Sequence, residues 1–329
     1  MENTSTKVKA KVKKSPVDVI FKVVIAAILI FYTLTIFYIL FWAIITSLKT
    51  EADFDTNHLG FPSIWEGALD IEIEAYHNAL RFGNYAQIFK YLNYEKKVTY
   101  FTMLGFKVTR SCNANFFGLL GNTLYIAGFC SLAQVLSTYT MAYMAQKYRF
   151  KFSGVIYGIV IVMMSVPTVG TTPATLVLLQ DLGVYGTHIG MLLMRFCYGG
   201  MYFLVFYGFF EGLPDSYMEA AEIDGASQFS IYLRIILPMG IKMIATVTLL
   251  LFVTNWNDYN MSFTYMPTVP TLAFSIYNLV HVLAANPHLR SNSISKMSAC
   301  LILVIPIAAI FIIFKDKLMG NISAGGLKG

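Results

Sequence analysis

"SYMEAAEIDGASQFSIYLRIILP" occupies residues 216–238. It holds Glu219, Glu222 and Asp224, yet it lies between two apolar stretches, 188–210 and 240–260. The whole chain is 57% hydrophobic and only 13% charged, and its mean hydropathy is +0.61. A soluble domain of 329 residues has no use for so little charge. A bilayer core about 30 Å thick takes about 20 apolar residues of helix. Six stretches meet that length: 21–47, 116–145, 153–178, 188–210, 240–260 and 298–315. Backbone groups in lipid must be satisfied within their own segment, so each is expected to be a helix. Runs such as "GVIYGIVIVMM" lack the alternation of a barrel strand.

The expected fold is therefore an all-α membrane protein with six transmembrane helices. A basic tail, 1–20, precedes the first span, 21–47. That span is too long, and lacks the small-residue site, for a cleaved signal peptide, and it reads as a retained anchor. An extracytoplasmic loop domain, 48–114, follows, expected to form short helices. Residues 115–317 make one bundle of five spans, interrupted by the loop 211–239, and 318–329 form a tail. Lysine and arginine near span ends set orientation. Lys7, Lys9, Lys11, Lys13 and Lys14, then Lys147, Arg149 and Lys151, then Arg234 and Lys242, then Lys315, Lys317 and Lys328 put both termini and the 211–239 loop on the cytoplasmic side. The net charge of +6 is thus scattered among span ends, which gives no nucleic-acid surface. Cys130, Cys197 and Cys300 fall in spans and Cys112 stands alone in its loop, so no disulfide framework is expected.

Two spans look irregular. Pro167, Gly170 and Pro173 interrupt the third. Broken helices line the path in some transporters, and they also serve as plain packing kinks; the residues leave both readings open. Arg195 lies in the fourth span, either as a functional charge or snorkelling to the interface.

Within 216–238, Pro214 stops the preceding span. Ser216 followed by Glu219 has the spacing of a capping box. Gly225 is placed to end the short helix, because glycine adopts the left-handed terminal conformation most cheaply. Phe229, Tyr232, Leu233 and Ile236 recur at helical spacing, which predicts a second helix with one face on the membrane surface. Pro238 opens the next span. The alanine pair keeps the first helix slender, fit to enter a groove on another protein. The residues alone also allow an ordinary solvated loop.

The same segment resembles the EAA loop of ABC importer permeases. Glu219-Ala220-Ala221, Asp224, Gly225 and Ala226, and then Ile235, Leu237 and Pro238 stand at the spacing of that loop in carbohydrate-uptake permeases. "WAIITSLKT" (42–50), "FGNYAQIF" (82–89), "NTLYIA" (122–127), "NWNDY" (255–259), "TLAFSI" (271–276) and "SAGGLKG" (323–329) resemble family segments along nearly the whole chain. The likeness is greatest to the six-span permease of maltose-type systems. The stretch 90–115 is longer than the family's usual link. The resemblance implies a type I ABC importer permease fold in a bacterial cell membrane. It implies three partners besides lipid: a second, non-identical permease, an ABC ATPase dimer, and an extracytoplasmic sugar-binding protein. The loop 261–297 would reach towards that binding protein, and the tail towards the ATPases.

No G-x-x-x-x-G-K-[ST], H-E-x-x-H or G-x-S-x-G occurs. The chain is therefore not expected to be an enzyme or to need a cofactor, and ATP hydrolysis would come from partners. His77, His188 and His281 read as surface or interface residues. Candidates for a sugar path are Asn122, Gln134, Asn255, Trp256, Asn257 and Asp258, which carry hydrogen-bonding or stacking chemistry. Polar groups also hold membrane helices together, which is the competing role for the same six. A secondary transporter or channel acting alone is the alternative function.

Overall fold

The computed structural model describes residues 16–49, 51–61, 83–101, 105, 107–148, 153–166, 170–196, 200–285 and 293–322. The lysines of the N-terminal tail, His77, Arg149, Lys151, Pro167, Cys197 and the "SAGGLKG" ending lie outside them. The chain divides into two compact units, 1–84 and 85–329.

The first unit holds α1 (Pro16–Ser47) and α2 (Glu51–Thr56). Every described side chain from Val17 to Phe41 is exposed, as a lipid-facing helix requires. The end of α1 is tied to the turn beyond it. Trp42 Nε1 donates to the His58 carbonyl at 2.8 Å and Lys49 Nζ to the Asn57 carbonyl at 2.5 Å. Asn84 Nδ2 donates to the carbonyls of Ser47 and Lys49.

Helix α3 (Gly83–Tyr91) runs across the boundary at residue 84, and the second unit continues with a two-stranded antiparallel hairpin, β1 (Tyr94–Phe101) and β2 (Lys107–Ala114). The hairpin corrects two expectations, an all-α chain and short helices in this region. Its cause is in the sequence. Val98 and Tyr100 on one strand, and Val108, Cys112 and Ala114 on the other, recur every second residue, and period two belongs to a half-buried strand. The inward side chains pack on the membrane domain. Tyr94 Oη lies 3.1 Å from Ser275 Oγ, Tyr100 meets Tyr185 edge-on at 4.9 Å, and Arg110 Nη2 donates to the Gly183 carbonyl at 2.8 Å. Burial pushes both the Tyr94 hydroxyl and the Cys112 thiol above their ordinary pKa.

Then come α4 (Phe116–Gln146), α5 (Ser153–Ser165), α6 (Thr171–Asp181), α7 (His188–Phe196), α8 (Gly200–Glu211), α9 (Ser216–Ile223) and α10 (Gln228–Met239). They are followed by α11 (Ile241–Asn257), α12 (Tyr259–Tyr265), α13 (Leu272–Ala285) and α14 (Ser293–Ile322). Helices α1, α4 and α14 are each long and apolar enough to cross a membrane. The pairs α7–α8 and α10–α11 reach that length only as bent pairs. The expected third span is broken into α5 and α6. Gly170 (φ +85°) starts α6, and Pro173 sits in the first turn, where its missing N–H costs no helical bond.

Two cores form. In one, Val135, Tyr139, Ala142 and Tyr143 of α4 meet Phe203, Phe206 and Phe210 of α8, Ile231 and Ile236 of α10, and Ile244 and Val247 of α11. In the other, Ile88 and Leu92 of α3, with Cys112 and Ala114 of β2, close on Leu272, Ile276 and Leu279 of α13 and Ala299 and Ile302 of α14. Between membrane-spanning helices such packing is held by van der Waals contact and hydrogen bonds rather than by removal from water.

Candidate functional site

Helix α9 begins one residue earlier than a capping box requires. Its N-cap is Asp215, with Ser216 the first helical residue, and no side chain caps it. The Asp215 carboxylate is engaged elsewhere: Lys147 Nζ donates to its Oδ1 at 2.6 Å and to the Leu213 carbonyl at 2.6 Å. The expected Ser216/Glu219 box is therefore not formed. The C-terminal end follows expectation. Gly225 has φ +79°. Its N–H donates to the Glu222 carbonyl and that of Ala226 to Ala221, both at 3.0 Å, which is the pairing of a Schellman motif. Ser227 then caps α10 through the Ser230 N–H, and Gln228 Nε2 donates to Glu222 Oε1 at 2.5 Å.

No side chain of α9 is buried. Tyr217 is 51% and Ile223 87% exposed, and Glu219, Ala220, Glu222, Asp224 and Gly225 are exposed with them. Tyr143, Lys147 and Tyr148 of the α4 end face Met218, Glu219, Glu222 and Gln228 across a cleft of about 340 Å³.

Helix α10 does not present one apolar face as expected. Ile231 and Ile236 are buried and Tyr232 and Ile235 pack against the same core, while Phe229 (73% exposed) and Leu233 (42%) point away from it. The reason is a π-helical stretch, Tyr232–Ile236, which shifts the helical register. Pro238 sits in the last turn of α10, and the chain bends by 68° into α11 at Gly240.

The six path candidates do not converge on one pocket. Asn122 Nδ2 donates to the Pro270 carbonyl at 3.0 Å, bracing the entry to α13. Trp256 is fully buried and donates to the Leu303 carbonyl at 3.1 Å. Asn257 is exposed and bonds back to Val253. Asn255 Nδ2 donates to Ser131 Oγ at 2.6 Å. The Asn255 Oδ1 and the Gln134 Oε1 are buried without a partner among the described residues. Asp258 breaks the helix between α11 and α12, accepts the Met261 N–H at 3.1 Å and accepts Arg195 Nη2 at 3.2 Å. Arg195 is thus held by a neighbouring helix. Among the described residues no group of three or more His, Cys, Asp or Glu could hold a metal ion.

Sequence reading did not find Tyr139, Thr140, Lys147 or Gly240 as parts of this site. Only Lys147–Asp215 carried a signal, as opposite charges at two loop ends. Nothing in the sequence links Tyr139 to Ile236, which are 97 positions apart.

This arrangement of bent apolar helices around an exposed, pinned loop is that of a membrane protein. A family model described as "Binding-protein-dependent transport system inner membrane component" matches residues 138–319, more than half of the chain, and the chain belongs to that family. It is a transport component rather than an enzyme. The chain is 29% identical over 213 residues to the galactooligosaccharides transport system permease protein GanQ of Bacillus subtilis (strain 168), covering 63% of this chain and 73% of that one. It is 25% identical to the sulfoquinovosyl glycerol transport system permease protein SmoH of Agrobacterium fabrum, covering 88% and 87%. To the maltose/maltodextrin permease MalG of Vibrio parahaemolyticus it is 25% identical, covering 64% and 72%. A chain from the crystal structure of a bacterial ABC transporter that imports the acidic polysaccharide alginate superposes with a TM-score of 0.68 at 19% identity, covering 92% of this chain and 98% of that one. That likeness shows the fold.

Proposed function

We propose that this chain is one half of the translocation path of an ATP-driven importer, and that α9 is the helix by which a cytoplasmic ATPase dimer grips it. The observation that carries this is the exposure of α9. Ala220, three acids, Tyr217 and Ile223 are exposed on a helix whose two ends are both fastened. Only Met218 and Ala221 of this helix pack on the chain's own core, and the exposed isoleucine at its tip gains its burial from another protein.

Six spans fit this role: α1, α4, α5 with α6, α7 with α8, α11, and α14, with both termini and the loop 211–239 cytoplasmic and 48–114 outside. The solute is a sugar or oligosaccharide handed over by an external binding protein, since the named relatives carry galactooligosaccharides, maltodextrins and a sulfoquinovosyl glycerol. A second, non-identical permease completes the path. Nucleotide and loaded binding protein each favour one conformation through differential affinity.

The test uses Gly225. A Cβ there meets nothing within 4 Å, but its φ is +79°. Asn tolerates that conformation, so Gly225→Asn should leave the chain folded, whereas a β-branched Gly225→Val costs about 1–2 kcal/mol of backbone strain. If α9 docks, both variants lose ATPase copurification, because both add bulk on the exposed face. Normal copurification with Gly225→Val, and solute movement without ATP by the chain alone in liposomes, would overturn the proposal in favour of a secondary transporter.

A further inference from the structure

We infer that α4 carries the movement of the docking helix into the membrane bundle, and that Tyr139 is the positioning residue that locks the corner between α10 and α11. This inference rests on the docking role proposed above for α9.

The loop between α8 and α11 does not hang from its two flanking spans alone. Four side chains near the end of α4 grip it along its length. Lys147 holds its start through Asp215 and the Leu213 carbonyl. Tyr143 Oη lies 3.9 Å from Met218 Sδ on α9. Thr140 Oγ1 lies 2.6 Å from Tyr232 Oη on α10. Tyr139 Oη donates to the Ile236 carbonyl at 2.6 Å. Positions 139, 143 and 147 recur at four-residue intervals, so they form one row along the helix. A displacement of α9 therefore meets α4 at both ends of the loop.

The tightest joint is at the corner. Tyr139 is fully buried, and its ring meets Phe206 at 5.2 Å and Phe210 at 4.8 Å, both on α8. Gly240 approaches so closely that a Cβ there would lie 2.2 Å from Tyr139 Oη and 2.5 Å from two ring carbons. The phenol thus fills the inside of the 68° bend. Ile236 ends the π-helical stretch, and its carbonyl accepts the Gly240 N–H at 3.3 Å. The bond from Tyr139, at 2.6 Å, is the shorter of the two and ties that carbonyl to α4 in a buried place where hydrogen bonds are strong. One ring therefore fixes α10, α11, α8 and α4 to each other. With the hydroxyl in place, the corner turns as a rigid piece; without it, packing remains but the angle is free to give under load.

The experiment uses the assembled transporter, purified through its ATPase, with Tyr139→Phe in this chain and its cysteines replaced. Spin labels go on Phe229→Cys in α10 and Leu250→Cys in α11, both exposed and neither on the docking helix. Their distance is measured by pulsed electron resonance with and without ATP plus vanadate. The parent should give one narrow distribution in both conditions. Tyr139→Phe should match it without nucleotide and become at least about twofold wider with nucleotide, because only then is the corner pushed. An equal distribution in both conditions for Tyr139→Phe, narrow or wide, reduces Tyr139 to packing and overturns the inference. So does a corner that opens with nucleotide in the parent. Failure of the parent to bring down any ATPase is a different result: it defeats the docking proposal, and this inference with it.

Discussion

Breaking the pair Arg195–Asp258 separates two jobs done by one carboxylate. Asp258 Oδ2 accepts from Arg195 at 3.2 Å, and Oδ1 accepts the Met261 N–H at the start of α12. The two side chains are 13% and 27% exposed. The pair therefore lies between an exposed ion pair, worth about 0.2–1 kcal/mol, and a buried one, whose breaking costs about 3–5 kcal/mol. A charged hydrogen bond of about 1.5–3 kcal/mol is the matching estimate, and the cap adds about 1 kcal/mol. Asp258→Asn keeps the cap acceptor and loses the charge, so it should cost about 1.5–2 kcal/mol. Asp258→Ala loses both and should cost about 1 kcal/mol more. Arg195→Met in the Asp258→Asn background should add far less than it does alone, with a coupling of about 1.5 kcal/mol. Equilibrium unfolding in mixed detergent micelles measures all four. A coupling below about 0.5 kcal/mol, or Asn as damaging as Ala, would refute the double role.

Two further outcomes are expected. Lys147→Met removes a cation that is 7% exposed and bonded to Asp215 and the Leu213 carbonyl; it should loosen the loop and speed tryptic cleavage at the exposed Arg234, read by mass spectrometry, while cleavage elsewhere is unchanged. Cys112 is a buried free thiol whose pKa is raised by burial, with Lys96 opposing that rise. A raised pKa leaves less thiolate at any pH below it, so maleimide labelling of Cys112 should stay slow at neutral pH and quicken as pH climbs past the ordinary thiol range or when the hairpin is unfolded. Fast labelling at neutral pH in the native chain would mean the hairpin does not lie on α13.

The long apolar helices α1, α4 and α14 were legible because lipid imposes a length and forbids unpaired backbone. Gly225 was legible because its φ of +79° leaves glycine the cheapest choice. The bends were less so. Pro173 suggested a kink, yet it sits harmlessly in a first turn, while the 68° corner falls at Gly240, two residues beyond Pro238. The hairpin was visible in the alternation of Val98, Tyr100, Val108 and Cys112, but the surrounding acids and aromatics drew attention to helices. The apolar residues of α10 were counted at ordinary helical spacing, and a π-helical stretch moved Phe229 and Leu233 to the other side. The joint between Tyr139 and Ile236 is a tertiary contact between neutral groups far apart in the chain, and no local rule marks it. Asn122, Trp256 and Asp258 show the reverse: their types suggested sugar chemistry, and each is spent on holding two elements together.

Since the permease's own core holds only Met218 and Ala221 of α9, drift at the other positions of that helix is filtered from outside. Permeases that share a motor should therefore agree along residues 216–226 even where their spans have diverged, and grafting this segment onto a foreign permease should change which motor it answers to.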